Sequence, residues 1–235
     1  MRDEEGGAVV FPSSRVSRPS PPVLLAAFEP FGGDTVNTSQ QVAERLAHGD
    51  PAIRMVVLPV VRGAAENAAL AALRALAEAG TPPRLIVALG EARSAREVRL
   101  EKVAINWDDF RIADNAGNQP RDAPIRPGGP AAYFATLPVA PIAARLNGAT
   151  PVPVVVSLLA GSFLCNHVAY AVSDALATGE LPKSVCRASF CFVHVPTVRP
   201  GDGPDVRSLE AITITVRAVL DAASADVGFQ SSARR

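Results

Sequence analysis

The 235-residue chain has no excess charge of either sign: 23 Lys and Arg side chains stand against 23 Asp and Glu. That balance removes the electrostatic footing for broad binding to nucleic acid or to an anionic membrane surface, and the basic residues form no stripe. Aromatic residues make up only 5% of the chain, which argues further against a nucleic-acid surface. Cysteines number three, an odd count, and the first residues lack the apolar stretch of a secretion signal; Val9-Val10-Phe11 is too short for one. Free thiols in a reducing cytoplasm are therefore expected. No apolar run approaches the roughly 18 residues of a membrane span, so a soluble protein is expected. The chemical signatures are equally sparse. No GxSxG, HExxH or CxxC occurs, which removes the serine α/β-hydrolase and zinc-peptidase readings. Gly32-Gly33 is followed by no GK[ST] and is not a phosphate loop.

What remains is a chain 48% hydrophobic, enough for one well-buried α/β core. Residues 1–21, closed by Pro19, Pro21 and Pro22, read as a disordered extension; residues 22–225 read as the folded domain, and 226–235 as a flexible polar tail. Strands are expected at 23–27, 53–61, 85–89, 102–106, 152–159 and 188–195, the fifth of them buried. Helices are expected at 39–47, with Ser39 as N-cap, and at 63–79, 139–146, 166–177 and 206–223. Strands separated by helices imply a largely parallel sheet covered on both faces. The chemistry of such sheets lies in the loops beyond the carboxyl ends of strands.

Four of those loops carry unusual residues. After the first strand, Phe28-Glu29-Pro30-Phe31-Gly32-Gly33 places two phenylalanines beside a glycine turn, as rings packed onto the core or as an apolar wall for a small ligand. After the third, Gly90 to Lys102 is charged; such a loop is ordinarily solvated, yet one of its carboxylates could turn inward to orient an imidazole. After the fifth comes Gly161-Ser162-Phe163-Leu164-Cys165-Asn166-His167. Taken alone, a single cysteine is more often structural, but at a strand-to-helix junction its thiolate is favoured by the helix dipole. At the end of the last strand, His194 needs a hydrogen-bonding partner, whether as a core residue or as a base. His48 ends a surface helix. His167 is two residues from Cys165, and helical neighbours at that spacing do not face one another, so His194 is the better partner for the thiol. Cysteine, then histidine, with a group to hold the ring is cysteine-peptidase logic, although papain-like and caspase-like signatures are missing. The residues alone do not choose among Glu91, Glu97 and Glu101 for the third place.

The chain resembles the pyroglutamyl peptidase I (pyrrolidone-carboxylate peptidase) family. The resemblance is collinear from about Val23 to Pro196. It rests on Phe28-Glu29-Pro30-Phe31-Gly32-Gly33 with Val36-Asn37, and on Glu101-Lys102-Val103-Ala104-Ile105-Asn106. It continues through Arg111 to Asn115 with Gly117 to Pro120, Gly129 to Phe134, Ala160 to His167, and Val193-His194-Val195-Pro196. It implies a single-domain three-layer α/β/α sandwich with a mostly parallel, mixed sheet. It also implies a thiol peptidase that removes N-terminal pyroglutamate through a thioester. The implied triad is Glu101, Cys165 and His194, and the implied walls of the lactam slot are Phe28, Phe31, Phe163 and Leu164. Asn37 would support the loop, and Glu91 would sit near the ring. No cofactor or metal is implied, and a homo-oligomer, often a tetramer, is.

The chain departs from the family around the slot. The usual Gln-Ala-Gly-Gly-Arg is Glu91-Ala92-Arg93-Ser94-Ala95, which brings a charge near the lactam and replaces two glycines; Val98-Arg99-Leu100, Leu159 and Ala26-Ala27 also differ from the family pattern. Two alternatives follow: a cysteine amidohydrolase with altered acyl specificity, and a non-catalytic family member acting as an interaction protein.

Overall fold

The computed structural model describes residues 22–199, 201 and 208–232. The expected extension, residues 1–21, lies outside the described residues. The architecture is a three-layer α/β/α sandwich around a mixed six-stranded sheet of order β2-β1-β3-β8-β4-β7. Strands β1 (Val23–Phe28), β2 (Ile53–Leu58), β3 (Leu85–Ala92) and β8 (Ser189–Pro196) run parallel. The strand β4 (Val98–Glu101) pairs antiparallel with β8, and β7 (Val154–Ser157) pairs parallel with β4. A separate two-stranded ribbon joins β5 (Val103–Ile105) to β6 (Ala132–Phe134).

Strand alternation divides the core in two. Val23, Leu25 and Ala27 of β1, with Leu85, Val87 and Leu89 of β3, face helices α1 (Thr38–Gly49), α3 (Val139–Leu146) and α5 (Leu209–Ser232). Leu24, Ala26 and Phe28, with Ile86 and Ala88, face α2 (Ala64–Glu78) and α4 (Leu164–Thr178). Both faces of the central strands are covered, which is why β1 reads as an unbroken apolar run. Gly179 ends α4 at φ 77°, a left-handed cap that a side chain would resist.

Several boundaries differ from expectation. The N-cap of α1 is Asn37, not Ser39: its carboxamide oxygen accepts from the Ser39 N–H at 2.9 Å. The expected strand at 102–106 is the short β5, which leaves the main sheet, and it is preceded by an unexpected strand, β4, that ends at Glu101. The stretch 152–159 is not a buried strand. The β7 strand is an edge, with Val155 and Val156 exposed and Leu158, just beyond it, 71% exposed, because nothing covers its outer side among the described residues. The helix α5 continues to Ser232, so the polar segment expected from Asp226 starts within it.

Candidate active site

The sheet register assembles the site. Phe190 and Phe192 of β8 point to the α4 side, while Cys191, Val193 and Val195 point to the other. By alternation His194 shares the α4 side. In the antiparallel pairing Glu101 lies opposite Phe192, so its carboxylate emerges on that same side, one pleat from His194. The outcome is a 2.8 Å hydrogen bond between His194 Nδ1 and Glu101 Oε1, both groups buried. The imidazole also interacts with the nearby Cys165 sulfur, and with Nδ1 engaged by Glu101 the nitrogen left to face it is Nε2. Burial alone would pull the imidazole pKa down. The Cys165 and Glu101 contacts outweigh burial and raise it to about 9.

Cys165 is the second residue of α4, whose N-cap Phe163 makes no side-chain capping bond. The sulfur therefore sits in the first turn, where amide N–H groups lack intrahelical acceptors and the dipole is positive. The helix is anchored from below. Asn166 accepts from the Ile105 N–H and donates to the Ile105 and Trp107 carbonyls, tying α4 to β5. His167 faces away from the thiol into a buried ionic group. Its Nδ1 lies 2.9 Å from Asp108 and its Nε2 3.0 Å from Glu66, while Arg62 Nε donates to Asp108 at 2.7 Å. Burial opposes charge on this ring, but the two carboxylates prevail and raise it to about 9.

Next to the sulfur is a narrow slot lined by Phe28, Phe31, Asn37, Val60, Glu91, Phe163, Leu164 and Cys165. All six residues expected at the lactam slot thus share one lining with the candidate nucleophile. Phe31 and Phe163 stack at 6.0 Å between ring centroids, and Phe110 buttresses Phe163 edge-on at 4.6 Å. Asn37 donates to the Glu29 carbonyl at 3.0 Å while capping α1, so one side chain holds both the helix start and the phenylalanine loop. A larger hollow at the opposite, amino-terminal end of the strands, by Asp50, Arg84 and Arg217, is lined by neither a cysteine nor a histidine.

The three candidate glutamates now separate. Glu97 is spent on the Arg96 N–H and on Arg99 near the surface. Glu91 points to the opposite side of β3, toward α1, accepting from the Thr38 N–H and from Arg199. Glu101 alone of the three bonds the imidazole. Of the altered loop residues, Arg93 pairs with Asp34, and neither it nor Ser94 needs positive φ: among the described residues Asp122 is the only non-glycine there. Sequence reasoning missed Val60, Thr38 and Arg199. Arg199 follows His194 by five positions, and no local pattern links it to Glu91, 108 residues earlier. Among the described residues no group of three or more His, Cys, Asp or Glu could hold a metal ion, and no helix is long and apolar enough to cross a membrane.

Known proteins are similar to this chain in sequence and fold. The sequence profile of the pyroglutamyl peptidase family matches residues 22–226. The pyrrolidone-carboxylate peptidase of Streptomyces coelicolor is 43% identical over 209 residues, covering 86% of this chain and 91% of that protein. That of Klebsiella pneumoniae is 40% identical over 207 residues, with the same coverage. The crystal structure of Bacillus amyloliquefaciens pyroglutamyl peptidase I superposes with a TM-score of 0.73 at 34% identity, covering 86% of this chain and 96% of that one. On sequence and fold together, this chain belongs to the pyroglutamyl peptidase family.

Proposed function

We propose that the protein is a cysteine exopeptidase that removes N-terminal pyroglutamate from peptides, with Cys165 as nucleophile. The observation that carries this reading is the line Glu101–His194–Cys165 ending at a phenylalanine-walled slot. A pyroglutamyl ring is neutral, flat and without a free amine, so an apolar slot with a few amide-type partners suits it. With the ring in the slot against the walls made by Phe28, Phe31 and Phe163, its exocyclic carbonyl is presented to the Cys165 sulfur.

The Cys165 thiolate attacks that carbonyl carbon, and the C=O electrons move onto oxygen. Free N–H groups of the first turn of α4 are suitably placed donors for this oxyanion. The His194 imidazolium gives its Nε2 proton to the leaving peptide amine as the C–N bond breaks, leaving a pyroglutamyl thioester. Neutral His194 then takes a proton from water, whose oxygen attacks the thioester. Collapse frees pyroglutamate and restores the thiolate–imidazolium pair. Glu101 holds the ring through Nδ1–H and stabilises its charged form throughout. No step calls on a metal or cofactor.

The finer expectations belong to the same proposal. Three free cysteines support a reducing, cytoplasmic setting. Exposed Phe134, Leu158 and Leu159 support a homo-oligomer, with a tetramer as the expected form. Release of fluorophore from a pyroglutamyl-aminomethylcoumarin substrate tests the function. The wild type is expected to turn over and Cys165→Ala to be inert; a folded wild type with no turnover contradicts the reading, and in that case rapid alkylation of Cys165 would favour the altered-specificity amidohydrolase.

A further inference from the structure

Glu91, an acid whose carboxylate turns toward α1, lines a slot that should receive an uncharged ring. Its side chain is almost fully buried, and it lines the same slot as Phe28, Phe163 and Cys165. A lone carboxylate there would have to shed its water each time substrate seals the slot, at considerable cost. The structure supplies a counter-charge. Arg199 donates from one guanidinium nitrogen to Glu91 Oε2 at 3.0 Å and from the other to Oε1 at 2.5 Å, a two-pronged grip on one carboxylate. The Thr38 N–H, in the first turn of α1, donates to Oε2 at 3.0 Å, adding the positive end of a helix.

Arg199 is itself fixed. The same guanidinium donates to Asp34 at 2.6 Å, and Asp34 also receives Arg93, one of the residues standing where the family pattern has glycine. The segment that carries Arg199 is clasped to α1 by the Val198 N–H, which donates to Thr38 Oγ1 at 2.8 Å. The departures Glu91 and Arg93 thus belong to one network, alternating in charge, that closes on Arg199 and Asp34.

We infer that Arg199 is a specificity-determining positioning residue: it neutralises Glu91, so that a carboxylate can serve where the family pattern has glutamine and the slot still accepts a neutral lactam. The inference rests on the proposed peptidase reading. It assigns Arg199 an action through Glu91 rather than a contact with the reacting atoms.

The test is a double-mutant cycle on pyroglutamyl-aminomethylcoumarin hydrolysis with wild type, Arg199→Ala, Glu91→Gln and Glu91→Gln/Arg199→Ala. Stranding the carboxylate in Arg199→Ala should raise KM about 10- to 100-fold while kcat changes little, because the loss falls on ring binding. Removing the charge as well, in the double variant, should restore KM to within about 5-fold of wild type. A double variant as impaired as Arg199→Ala, or worse, overturns the inference and makes Arg199 a structural clasp. Should Arg199→Ala fail to fold, Arg199→Lys serves: it keeps the charge without the two-pronged geometry, and Glu91→Gln should again improve its KM. An unchanged KM in every variant would equally overturn it. Absence of turnover in the wild type would instead strike the peptidase reading itself.

Discussion

A methyl group added at Gly90 would lie 2.8 Å from the Cys165 sulfur and equally close to the Phe192 ring tip. Gly90 pairs with His194 in the β3–β8 register, and alternation aims its missing side chain toward α4. The glycine is there for close approach of strand to thiol. Gly90→Ala should therefore fold with a loss of about 1–3 kcal/mol, since Phe192 is buried and cannot swing away. Activity should fall at least about 100-fold, because the thiol leaves its line with His194. Thermal unfolding and kcat on the same preparation check both halves.

Glu101→Gln keeps the shape of the acceptor and removes its charge. The buried Oε2 has no hydrogen-bond partner among the described residues, so the interaction with His194 is the main one altered. The turnover rate should fall on the order of 100- to 10,000-fold. The imidazolium, held up to about 9 against burial by Cys165 and Glu101, should lose its proton at lower pH. The alkaline limb of the pH–rate profile should consequently move from near pH 9 toward neutrality, and an unmoved limb would dissociate Glu101 from the imidazole.

The buried group of Arg62, Asp108, His167 and Glu66 makes stability depend on pH. Burial disfavours charge on His167, yet its carboxylate partners raise it to about 9. A group with a raised folded pKa contributes stability in full below its unfolded value of about 6.5, and that contribution is lost as pH rises through about 9. The size is on the order of 3 kcal/mol. Urea midpoints should accordingly decline between pH 7 and 9.5, in part through His194, which is raised in the same sense. His167→Gln should be less stable at pH 7 by about 3–5 kcal/mol, with a shallower decline.

Phe163 is held between Phe31 and Phe110 at the slot wall. Phe163→Ala should raise KM for pyroglutamyl substrates about 10-fold or more, through lost ring contact. Leu in its place should recover part of that loss. Equal kinetics for all three proteins would remove Phe163 from the slot.

Much of the sheet could be read directly from the chain. The strands β1, β3 and β8 are apolar runs because both their faces are covered, and the spacing of α3 gives its bounds to the residue. The β4 strand escaped because it has four residues, two of them charged, and its reason for existing is a pairing with β8 more than 90 positions away. The β7 run misled for the converse reason: β-branched residues mark a strand, but only neighbours decide whether it is central or an edge. Cys165 and His194 stood out by type and place. Glu101 did not, since three glutamates share one charged stretch, and it was the family resemblance that singled it out. Arg199 was illegible, because a counter-charge is defined by what lies across the fold.

The most direct test is acid-quenched mass spectrometry of the enzyme mixed with a pyroglutamyl peptide. A pyroglutamyl adduct is expected on the proteolytic fragment containing Cys165, arising before free pyroglutamate and absent from Cys165→Ala. Turnover without any such adduct, or with the acyl group on another residue, would contradict the account.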